Sequence, residues 1–93
     1  MFEKRWDYCV KIRNYMLEHN IDTENLQSYP NGNGNIFYYY LNELRDDRYF
    51  KTEKFFKKYL RDDLRRTQLR LTHGFVSPEE YNDLKTLFNL LYE

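Results

Sequence analysis

The sequence predicts a mainly α fold: four helices in a single domain spanning residues 1–93. Three observations carry this. Four stretches place their apolar residues at the 3.6-residue period of a helix. The joint between the last two stretches stacks several helix stop and start signals within eight residues. Nineteen per cent of the chain is aromatic, with ten Tyr, seven Phe and one Trp. Large rings fill a core from few positions, so a chain of this length closes a modest core despite its low mean hydropathy.

The first helix is expected at residues 2–19. Phe2, Trp6, Cys9, Val10, Ile12, Met16 and Leu17 share one arc of the helical wheel. Arg5 and Arg13 intrude on that arc, where long basic stems can lie along apolar surface with their charged heads in water. Asn20 is a suitable stop.

Residues 20–35 are irregular. Asp22 can cap one short turn through Leu26, and the run Tyr29-Pro30-Asn31-Gly32-Asn33-Gly34-Asn35 then breaks any regular structure. Pro lacks a donor, while Gly and Asn tolerate positive φ.

Residues 36–47 are expected to be helical, with Asn35 as cap. Ile36, Phe37, Tyr40, Leu41 and Leu44 keep helical spacing, and the polar run from Asn42 to Asp47 continues it. Ile-Phe-Tyr-Tyr-Tyr is also rich in strand formers. The alternative is therefore an α+β fold with one β-hairpin at residues 26–41, pairing 26–29 with the start of this segment across the Asn/Gly loop.

The third helix spans 53–72, with Thr52 as its cap and Phe55, Phe56, Tyr59, Leu60, Leu64 and Leu71 on its buried face. The fourth spans 78–91, with Tyr81, Leu84, Leu87, Phe88 and Leu91 on one arc. Between them Gly74 can close a helix in the left-handed conformation, and Phe75 falls where such a cap places its apolar contact. Ser77 can accept from the first free amides of the next helix, and Pro78 suits the first helical position. Glu80 completes a capping box, and both Glu79 and Glu80 favour a helix N-terminus.

Charge is uneven although the net charge is zero. Residues 51–74 carry a local charge of +5 and residues 75–93 a local charge of −3. On the third helix Lys51, Lys54, Lys57, Lys58, Arg61 and Arg65 share the arc opposite the Phe/Leu face. Such a stripe can line a phosphate backbone or dock an acidic protein surface. The competing reading is an ordinary solvated face, diluted by Asp62 beside Arg65 and Arg66. A helix-turn-helix reader fits poorly, because its second helix enters the major groove and here the second helix is acidic.

A second lead is the tyrosine cluster. In a helical 36–47, Tyr40 turns inward while Tyr38 and Tyr39 turn away. Exposed Tyr beside an Asn/Gly loop has the chemistry of binding loops, with rigid rings for contact and small polar groups for hydrogen bonds. Stacking of single-stranded bases is another use. Against both stands the use of rings as core.

Metal and catalytic chemistry find no convergent residues. The Asn/Gly loop lacks the carboxylates a calcium ion needs and the Lys-Ser/Thr ending of a phosphate loop. His19 and His73 have no partner at ligand spacing. Cys9 reads as a small core residue; as the single cysteine it excludes an internal disulfide and fits a reducing compartment. No apolar run reaches the ~18 residues of a membrane span, and the N-terminus lacks a signal-peptide core. The expectation is a cytoplasmic, non-enzymatic protein with no metal, no cofactor and no membrane.

The Lys-, Asn-, Tyr- and Asp-rich composition resembles that of small accessory proteins of AT-rich phages and mobile elements. It is a resemblance of composition and covers no motif. It implies an anti-defence inhibitor or adaptor that binds a larger host protein, such as a nucleic-acid enzyme of a defence system. The leading expectation is thus a protein-binding module whose candidate contacts are Tyr38, Tyr39, Lys54, Lys57, Lys58, Arg61 and Arg65, facing a host protein with an acidic surface. The second expectation is a nucleic-acid binder that uses the basic face of the helix at 52–72.

Overall fold

The computed structural model describes residues 2–24, 35–46 and 48–93. Four helices form: α1 (Arg5–Glu18), α2 (Asn35–Arg45), α3 (Glu53–Thr72) and α4 (Pro78–Tyr92). The described residues contain no strand. The hairpin alternative at 26–41 fails on its second arm, because residues 35–41 are helical; its first arm lies outside the described residues. The core-facing spacing of Phe37, Tyr40, Leu41 and Leu44 outweighs the strand preference of Ile-Phe-Tyr-Tyr-Tyr.

α1 packs on α2 and α4, and α4 also meets α2 and α3. Ile12, Met16, Phe37, Tyr40, Leu41, Leu44, Phe56, Leu60, Leu84 and Leu87 lose essentially all solvent contact at the shared centre. Tyr40 and Phe56 meet edge to face there, their centroids 6.1 Å apart.

Both α1 and α3 end by the same device. At the end of α3 Gly74 takes a φ of 78°. Its N–H donates to the Leu71 carbonyl at 3.0 Å, and the Phe75 N–H donates to Arg70 at 2.8 Å. α1 repeats the pattern with Asn20 at a φ of 58°. The Asn20 N–H donates to Leu17 at 3.4 Å, and that of Ile21 to Met16 at 2.8 Å. This is the Schellman closure, which satisfies carbonyls the last turn would leave open. Ile21 brings its apolar contact into the core. Phe75 does not: it stays 78% exposed, with His73 as its ring neighbour. Thr52 Oγ1 accepts from the Phe55 N–H at 3.1 Å, and Ser77 Oγ from the Glu80 N–H at 3.3 Å, as the caps require. Asn35 is the first residue of α2, and its side-chain oxygen is buried with no hydrogen-bond partner among the described residues. Asp22 accepts from the Glu24 N–H at 2.8 Å, and the rest of the expected turn through Leu26 lies outside the described residues.

The buried face of α1 departs from the expected arc. Tyr8, Cys9, Ile12 and Met16 are buried, and so is Arg5 at 7% exposure. Trp6 (65% exposed), Val10 and Leu17 face outward instead. Arg5 is the reason. Its guanidinium is not wet at its head; it donates to the carbonyls of Leu44 at 2.8 Å and Asp46 at 3.4 Å, and to that of Phe50. Turning Arg5 toward the end of α2 rotates Trp6, one residue on, out of the core.

Candidate functional site

Arg5 holds the end of α2 and the link that leads on to α3. α2 carries Tyr39 and Glu43, four residues apart and therefore stacked on one outward face. The link from Asp46 to Phe50 follows. Asp46 accepts from the Arg48 backbone N–H at 3.0 Å and pairs with its guanidinium at 2.8 Å. These hydrogen bonds from Arg48 hold the Asp46 carboxyl down at about 2. The link ends with neighbours on opposite sides, Tyr49 outward and Phe50 buried. The first turns of α3 then supply Phe55 and Tyr59, again four residues apart.

Tyr39, Glu43, Tyr49, Phe50, Phe55 and Tyr59 line a groove of about 450 Å³. Phe50 is its floor, with ring centroids 5.2 Å from Tyr59 and 6.1 Å from Phe55. The hydroxyls of Tyr39 and Tyr59 share a hydrogen bond at 3.0 Å. Burial, then this bond to Tyr59, pushes the Tyr39 phenol well above its ordinary range, so the Tyr39 ring stays a neutral hydrogen-bonding group near pH 7. The walls are open to solvent: Tyr39 is 41% exposed, Tyr49 53% and Phe55 54%. A shallower recess of about 330 Å³ continues past Phe55 to Lys51 and Thr52.

The sequence-predicted contacts divide in space. Tyr39 lies in the groove. Lys54, Lys58, Arg61 and Arg65 are exposed on the outer face of α3, which carries Phe55 as well. Lys58 is close to Asp62 at 3.9 Å. Two residues leave the group. Tyr38 is half-buried against the core, because the core face of α2 is broad enough to reach it. Lys57 turns the other way, its ammonium 4.9 Å from the ring centroid of Tyr92. There it lines a larger, polar groove of about 720 Å³ between α1, α3 and α4, where the Tyr8 hydroxyl donates to Glu53 at 2.7 Å.

Glu43, Tyr49, Phe55 and Tyr59 were not among the predicted contacts. A signal for two of them is in the sequence. Phe55-Phe56 and Tyr59-Leu60 form two parallel apolar stripes, and a helix buries only one such stripe fully. Phe56 and Leu60 are the buried pair; Phe55 is exposed and Tyr59 half-buried.

Cys9 and His19 lie apart from the groove lining. Cys9 is buried, which pushes its thiol up and away from nucleophilic use. His19 donates from Nδ1 to the Tyr15 carbonyl at 2.8 Å and stacks on that ring. Among the described residues no three His, Cys, Asp or Glu side chains gather as a metal site. No helix among them is long and apolar enough to cross a membrane. No family model matches the chain, and no curated protein or solved structure shows significant similarity to it.

Proposed function

We propose that this chain is a non-catalytic protein-binding module, with the aromatic groove as its anchor pocket and the basic face of α3 as its flank. The observation that carries the proposal is the cluster of exposed rings, Tyr39, Tyr49 and Phe55, around a groove of about 450 Å³. A monomer rarely leaves so much aromatic surface together, and binding energy concentrates in such ring-lined pockets. Lys54, Lys58, Arg61 and Arg65 beside it favour a partner with an acidic surface, by steering encounter and fixing orientation. The compositional resemblance adds the role: a phage or mobile-element accessory protein acting in the cytoplasm as an inhibitor or adaptor of a larger host enzyme.

The second reading, nucleic-acid binding, rests on the same four cations. Affinity measured across a salt series separates the two. A protein complex of this kind is expected to lose about 2 kcal/mol or more with Tyr39→Ala plus Phe55→Ala. Its response to salt is shallow. Lys58→Glu plus Arg61→Glu weakens it less than the ring truncations. Tyr39 and Phe55 are 41% and 54% exposed, so the aromatic variant is expected to keep its fold. Tight binding to plain DNA or RNA that falls steeply with salt, vanishes on charge reversal and ignores the ring truncations would replace the proposal.

A further inference from the structure

The groove is not uniformly apolar. Five rings line it, and among the described residues its one charged wall is Glu43. Glu43 is half-buried, and among the described residues no cation pairs with it. The neighbouring carboxylate, Asp63, is already engaged, accepting from the Tyr40 hydroxyl at 2.6 Å and lying 4.0 Å from Arg66. Lys51 lies in the adjoining recess and not in the groove itself. Ring faces carry negative potential and attract cations, most strongly where water is thinned. The molecule already does this twice at its surface. The Arg48 guanidinium sits 5.9 Å from the Tyr49 centroid, and the Lys57 ammonium 4.9 Å from that of Tyr92.

We propose that the groove takes an arginine side chain of the protein partner, its guanidinium lying against the ring walls and donating to the Glu43 carboxylate. Arginine suits this better than lysine. A planar guanidinium stacks on rings and offers a two-pronged donor edge to a carboxylate, whereas an ammonium is a strongly hydrated point charge. The inference rests on the protein-binding reading and sharpens it. The partner epitope becomes a projecting arginine surrounded by carboxylates, the former entering the groove and the latter meeting Lys54, Lys58, Arg61 and Arg65.

The test is an NMR titration of the full chain with Nα-acetyl-arginine-methylamide, its neutral isostere Nα-acetyl-citrulline-methylamide, and the lysine analogue. Arginine is expected to give saturable shifts in the ring signals of Tyr39, Tyr49, Phe55 and Tyr59, with citrulline about tenfold weaker. Glu43→Gln, whose spectrum should otherwise overlay that of the wild type, is expected to lose most of that preference. Citrulline binding as well as arginine would overturn the inference and leave an apolar anchor pocket intact. Lysine binding as well as arginine would overturn the choice of cation. If no probe moves these rings, the arginine assignment falls. The protein-binding reading is then judged separately, by whether Tyr39→Ala plus Phe55→Ala abolishes partner capture.

Discussion

The guanidinium of Arg5 links the core to the groove. It is buried at 7% exposure and meets carbonyls from the end of α2 and from the link that follows. A buried charge is costly unless its donors are used, and here they face the negative end of a helix. The acceptors lie 39 to 45 residues away in the chain. Removing the guanidinium leaves buried carbonyls without donors. Arg5→Met is therefore expected to cost about 3 kcal/mol, despite filling similar space with an apolar side chain. Chemical denaturation reads this out, and an unchanged midpoint would mean the guanidinium holds nothing. The same variant should free the link that presents Tyr49. Nothing in the sequence around Arg5 announces this role, because its partners are tertiary and helical periodicity is blind to them. Hydropathy places a basic residue at the water's edge, and so it draws the α1 arc around Trp6, Val10 and Leu17.

At the scale of elements, the corner between α3 and α4 is the most legible part of the chain. Its signals are local: Gly74, Ser77 and Pro78 act on their own backbone or on amides a few residues away. A Cβ on Gly74 would meet no atom within 4 Å, so the cost of adding one is conformational. Gly74→Ala is expected to destabilise by about 1 kcal/mol through its positive φ, and Ser77→Ala by about 1 kcal/mol through the lost cap. Two unchanged denaturation midpoints would contradict this corner. α2 is legible for a different reason. Leu41 and Leu44 extend the helical period beyond the strand-forming run, and burial of Phe37, Tyr40, Leu41 and Leu44 follows it. The groove is harder to read. Phe55 and Phe56 are identical in hydropathy, and only tertiary packing decides which is core and which is wall, Phe56 meeting the rings of Phe2, Tyr8, Tyr40 and Phe50. Tyr49 and Phe50 sit in a link where no period exists to sort inside from outside.

Across the whole molecule the rings serve as core and as hydrogen-bond donors, and in the proposed function as binding surface. Burial first, and then a carboxylate acceptor, raise the phenols of Tyr8 (against Glu53) and Tyr40 (against Asp63) far above their ordinary range. Their protons are held more tightly in the folded chain than in the unfolded one. That contribution to stability is whole below about pH 10 and is lost as the pH rises beyond it. In an alkaline titration the phenolate absorbance of these two rings should appear together with the loss of helical circular dichroism. Their ionisation in a still-helical protein would contradict their placement. The net charge of zero gives no long-range pull toward a polyanion, and the acidic start of α4 lies one corner away from the basic helix. In the proposed function recognition therefore depends on the groove. The most direct measurement is capture from a host lysate, with and without nuclease, comparing the wild-type chain with Tyr39→Ala plus Phe55→Ala. A defined protein partner is expected to be retained after nuclease and lost with the aromatic variant. Capture that disappears with nuclease, or that survives loss of both rings, would contradict it.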